Sequence, residues 1–81
     1  MMLSGNQIKD QQAAELARLI DYVGGQSALA AQLDIPRQVV SNWVSRGRIS
    51  ATMATEVERK TKGLFVRREL RPDVATWAEP V

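Results

Sequence analysis

The chain has 81 residues, 44% of them apolar, enough for one small core but not for a buried cleft of enzyme size. It has no cysteine and no histidine, which removes disulfides, thiolate metal sites and the commonest general base, so no enzyme, metal or cofactor is expected. Net charge is only +2, but Arg37 to Arg71 holds nine Lys or Arg against three Glu while the first 25 residues sum to −1, the pattern of a side that faces a polyanion.

The opening MMLSGNQIKDQQ has no apolar signal core, and no run approaches the roughly 18 apolar residues of a membrane span, so a cytoplasmic protein without membrane contact is expected. The composition divides the chain into a flexible N-terminus at 1–8, one domain at 9–74 and a tail at 75–81. In DQQAAELARLIDYV, Leu16, Leu19, Ile20 and Val23 recur at helical spacing, and Gly24-Gly25 ends that helix. QSALAAQL forms a second, short helix with Leu29, Ala30 and Leu33 inward, too short to stand without its neighbours.

A third segment, RQVVSNWVS, follows Ile35-Pro36. On a helical wheel Val39, Val40, Trp43 and Val44 share one arc, and Arg37, Gln38, Ser41, Asn42 and Ser45 share the other. Proline is tolerated only in a helix's first turn, so Pro36 opens a third helix over 36–45 and does not kink a longer one. A fourth helix is expected from Ala51 to Lys62, capped by Ser50 and ended by Gly63, with Met53, Ala54 and Val57 inward and Glu56–Lys60 and Glu58–Lys62 paired outside. Beyond it, LFVRREL reads as a strand or a loop, the loop being favoured, with Leu64 and Leu70 on the core; Pro72 forces Arg71 to be extended.

Two short helices around a tight turn, the first with a small residue at its centre and the second with a polar outer face, form a helix-turn-helix at 26–46. The stretch GGQSALAAQLDIPRQVVSNWVSRGRI, together with ELRPDV at Glu69–Val74, resembles the Cro-like phage repressors and, within them, the YdaS-type Cro/antitoxin regulators. The resemblance covers roughly Leu16 to Val74 and implies an all-α, four- to five-helix fold like that of lambda repressor, with a short C-terminal tail. It further implies base reading by Arg37, Gln38, Ser41 and Asn42, where Arg suits guanine and Gln or Asn suits adenine.

Ser45 lies on the same polar arc, and Gln26 and Ser27 open the second helix, where free N–H groups favour a phosphate oxygen. Arg46 and Arg48 resemble the basic loop that grips the DNA backbone in Cro-like proteins. The bland reading of such a polar arc is a solvated surface; the complete motif favours DNA contact. Trp43 reads as core, Arg59, Lys60 and Lys62 as solvated surface, ELRPD as a tail tied to the core, and Trp77 as either cover for a dimer surface or an unpacked side chain. Asp34 and Pro36 depart from the family's usual turn glycine and Ser or Thr cap.

The expected function is a DNA-binding regulator of prophage type that occupies an operator as a homodimer. The competing expectation is an antitoxin whose main partner is a toxin protein and which uses DNA only to regulate its own operon.

Overall fold

The computed structural model describes residues 5–74, with side chains from Lys9 onward; the expectations for Trp77 and for 75–81 lie outside the described residues. Five helices and no strand occur there: α1 (Gly5–Val23), α2 (Gln26–Leu33), α3 (Arg37–Arg46), α4 (Ala51–Lys60) and α5 (Arg67–Leu70). Helix α1 starts earlier than its apolar periodicity indicates, and residues 5–8, expected to be flexible, have helical backbone. Nothing apolar repeats upstream of Leu16 to reveal those first turns.

The first four helices end alike. In each, a residue one or two positions past the helix takes a positive φ, and the next N–H reaches back five residues to a carbonyl: Gly25 to Ile20, Ile35 to Ala30, Arg48 to Trp43 and Gly63 to Glu58. Glycine supplies that φ at Gly24 and Gly47, but Asp34 takes it at φ 56 and Lys62 at φ 54. Asp34 thus takes the left-handed turn at the position where the resemblance implies glycine. Helix α4 stops at Lys60, so Lys62 has left the outer face and cannot pair with Glu58 as expected. Glu58 instead caps α5 by accepting from the Arg67 N–H, and Glu56 pairs with Arg59 at 2.7 Å.

The core joins Leu16 and Leu19 of α1, Leu29, Ala30 and Leu33 of α2, Val40 and Trp43 of α3, Ala54 and Val57 of α4, and Leu70 of α5. Ile35, in the turn between α2 and α3, packs partly buried against this core. Two large core residues, Ile49 and Phe65, have no counterpart in the periodic reading, because each lies in a loop outside any helical repeat. Leu64, expected on the core, is 52% exposed and Phe65 occupies that role, its ring near Tyr22 and under the Arg18 guanidinium. Val44, on the apolar arc of α3, is also exposed and lines a groove beside Ala13, Ala17 and Ile20 of α1.

The segment read as strand or loop is in part a four-residue helix, α5, packed on α1 and α4. So short a helix cannot persist by propensity. It is held by the burial of Leu70 and by a clip just beyond it, where Arg71 and Asp73 reach across to α1 and the α3–α4 loop.

Candidate nucleic-acid interface

Helix α3 is fixed from beneath by Val40 and Trp43, 0% and 2% exposed, so its opposite face has a defined orientation. That face carries Arg37, Gln38, Asn42 and Ser45, all exposed, with Ser41 half-buried at its edge. Gln38 Nε2 donates to Asn42 Oδ1 at 3.1 Å, one turn apart, so the two amides lie side by side. No partner within the described residues claims the Arg37 guanidinium.

Ser41 Oγ donates to Gln26 Oε1 at 3.0 Å. This bond ties the start of α2 to the middle of α3 and fixes the angle between the two helices. It uses the Ser41 hydroxyl proton and the Gln26 amide oxygen, leaving the Gln26 amide nitrogen, the exposed Ser27 and the first N–H groups of α2 as the anion-facing features there. The cap before α2 is Gly25 at φ 124, ψ 174, a conformation that only glycine tolerates, and no side chain caps those N–H groups. Pro36 precedes α3 with extended backbone and no side-chain cap, as its lack of a hydroxyl dictates.

At the other end of α3, Arg46 Nε donates to the Asn42 carbonyl at 3.4 Å, which directs the guanidinium along the helix. Gly47 then turns the chain, and Arg48 projects from the loop with its side chain 51% exposed. Arg46, Arg48, Ser50 and Arg71 surround a cleft of about 160 Å³. Thus Arg37, Gln38, Asn42 and Ser45 share one surface, Arg46 and Arg48 border its far end, and Gln26, Ser27 and Ser41 meet it at the α2 side.

Arg71 is the residue of this region that the sequence alone did not single out. Its guanidinium donates from Nε and Nη2 to the two oxygens of Asp73, at 2.9 and 2.8 Å, and from Nη1 to the Ile49 carbonyl at 3.1 Å. Asp73 also accepts from Gln12 of α1 at 2.6 Å and lies 3.9 Å from Arg48. The Arg71 hydrogen bonds, with a smaller contribution from Arg48, hold the Asp73 carboxyl below its ordinary range. The spacing R-P-D was visible in the sequence, but its partners lie on elements far away along the chain.

Residues 16–80 match the profile of the family described as "Bacterial toxin YdaS". A protein of Escherichia coli (strain K12) named "Putative transcriptional regulator YdaS" is 40% identical over 53 residues, 64% of this chain and 54% of the relative. The match therefore spans about half the length of that curated relative. Among solved structures, the Cro protein from prophage element Xfaso 1 of Xylella fastidiosa strain Ann-1 is similar, with a TM-score of 0.64 and 41% identity over 79% of this chain and 94% of the other.

Proposed function

Since the chain belongs to the bacterial toxin YdaS family, we propose that it is a Cro-like transcriptional regulator that binds double-stranded operator DNA and represses transcription by occupying a promoter. The observation that carries this reading is the outer face of α3: Arg37, Gln38, Asn42 and Ser45 exposed together on a helix whose inner face is locked by Val40 and Trp43. Such a face fits the major groove, where Arg meets guanine and Gln or Asn meets adenine in paired hydrogen bonds. Gln26, Ser27, Arg46 and Arg48 supply contacts to the flanking phosphates, which fix register without reading sequence. The names of the two relatives, a transcriptional regulator and a Cro protein, support the same reading.

One helix reads only a few base pairs, so useful specificity requires two copies on half-sites about 34 Å apart. The protein acts as a homodimer on DNA, by binding and without catalysis, in the cytoplasm. Selection of bound duplexes from a random pool tests all of this together. The expected result is a palindromic consensus with half-sites one helical turn apart. Absence of any enrichment would overturn the operator reading and favour the antitoxin alternative, which co-expression with a toxin would then examine. Less supports that alternative, because the family's description names its members toxins. The phosphate role has its own check: Arg46→Ala flattens the dependence of log K on log salt by about one unit on every duplex.

A further inference from the structure

The loop between α3 and α4 is tied down at nearly every residue. Gly47 closes the end of α3 through its N–H, Ile49 is 1% exposed, and Ser50 caps α4 by accepting from the Met53 N–H at 3.3 Å. The Ile49 carbonyl is held by Arg71 at 3.1 Å. Arg48 is the residue of this braced loop whose charged side chain faces solvent. The cleft it borders, about 160 Å³, is far larger than a single water requires.

One carboxylate oxygen links this loop to the tail. Asp73 Oδ2 stands 2.8 Å from Arg71 Nη2 but 3.9 Å from Arg48 Nη1, so it grips one guanidinium tightly and the other loosely. Its second oxygen is engaged by Arg71 Nε and by Gln12, which is 4% exposed. Asp73 is therefore fixed from two sides, and Arg48 is the partner that can leave. A phosphate oxygen at the usual charge-assisted distance of about 2.8 Å makes a closer contact with Arg48 than Asp73 does.

We infer that Arg71 and Asp73 are positioning residues for the DNA-backbone loop: Arg71 pins the loop through the Ile49 carbonyl, and Asp73, held by Arg71, keeps Arg48 at the cleft until a backbone phosphate replaces the carboxylate. This inference rests on the duplex-binding reading above. It gives the R-P-D segment a place in recognition that a simple tail anchor lacks. By its charge the carboxylate competes with a phosphate for Arg48 and so limits how strongly the loop holds the DNA backbone.

The test is binding of a fixed duplex by wild type, Asp73→Asn, Arg48→Ala and the double variant across a salt series, with thermal melts run alongside. Asp73→Asn keeps an acceptor for Arg71 but removes the charge beside Arg48. Its expected effect is tighter binding at low salt and a slope of log K against log salt steeper by about one unit, which is roughly a four-fold larger loss of affinity between about 50 and 200 mM salt. In the Arg48→Ala background that gain disappears. A gain that persists without Arg48 overturns the inference, as does an Asp73→Asn protein that binds less tightly with an unchanged slope, the signature of a tail anchor alone. Wild-type protein offers a second measurement that needs no variant: on adding duplex, the Asp73 carboxyl carbon resonance shifts as Arg48 leaves it, and a stationary resonance overturns the proposal. If wild type binds no duplex at any salt, the operator reading itself fails and this inference with it, an outcome distinct from all the others.

Discussion

Helix α3 and the segment from α5 to Asp73 are both rich in polar side chains, and they dispose of them in opposite ways. On α3 the fully exposed groups are little engaged by the fold: Gln38 touches Asn42, Arg37 meets no partner among the described residues, and only Ser41, at the edge, bonds to α2. In the tail segment Arg71 commits three nitrogens and Asp73 both oxygens to the fold. Polar groups displayed on a rigid support and left unsatisfied by their own chain are available to another molecule. Polar groups whose hydrogen bonds are closed internally hold a short element in place where propensity could not.

The largest expected effects come from removing the apolar anchors beneath each region. Trp43→Ala should cost about 3–5 kcal/mol and Leu70→Ala about 2–5 kcal/mol, both read from urea unfolding followed by circular dichroism. Against a total stability of about 5–15 kcal/mol for an ordinary domain, either change leaves little margin. A Leu70→Ala protein as stable as wild type would break the comparison, because it would make the tail an appendage and not part of the core.

Next in size is the loss of base discrimination. Arg37→Ala or Asn42→Ala should each remove about 1–3 kcal/mol of preference for the selected operator over random duplex, with folding stability changed by less than about 0.5 kcal/mol. Equal weakening on every sequence would move that residue from the base-reading face to the phosphate contacts. Smaller again is Asp34→Gly in the turn between α2 and α3. Relief of the left-handed cost, less the added chain entropy of glycine, should raise stability by about 0.5–1 kcal/mol in the same urea assay. A loss instead would show that Asp34 contributes something beyond its backbone shape.

The contrast between the two regions also explains what the sequence revealed. Helices α2 and α3, the turn at Asp34 and the exposed positions of Arg37, Gln38, Asn42, Ser45, Arg46 and Arg48 follow from local rules: apolar spacing, the place of proline, and the arc opposite Val40 and Trp43. Ile49 escaped because a single apolar residue in a loop has no period. Phe65 is buried and Leu64 exposed, a distinction that nothing local makes between adjacent apolar residues facing opposite ways. The α4 end was placed too late because Lys62 takes the left-handed turn that Gly63 advertised. The Arg71–Asp73 clip depends on Gln12, 61 positions away from Asp73, and on the Ile49 carbonyl, 22 from Arg71, and no local pattern encodes either.

The satisfied network around the tail has one exception, and it supplies the smallest and most specific prediction. Glu15 of α1 is 7% exposed, and its Oε2 meets no donor among the described residues. Burial raises its pKa above the ordinary 4.5, the neighbouring Glu69 carboxyl of α5 raises it further, and Arg18 at 2.6 Å pulls it partly back. A folded-state pKa above the unfolded one means that protonated Glu15 favours the fold: this contribution is complete below pH 4.5 and is lost as pH rises through the raised value. At neutral pH the ionised carboxylate therefore costs stability. Glu15→Gln places a neutral amide there whose N–H₂ can donate to Glu69 at any pH, and the lost ion pair with the 61%-exposed Arg18 side chain matters little. The variant should melt higher than wild type at pH 7, by no more than about 1 kcal/mol or roughly 4–8 °C, with the gain shrinking toward pH 4. Asp73 runs in the opposite sense: its depressed pKa gives stability that is present above its ordinary 3.8 and lost as pH falls below it. The two groups thus act in separate pH windows, so a Glu15→Gln gain that grew on acidification, instead of vanishing, would remove the Glu15–Glu69 contact from the account of how α5 is held.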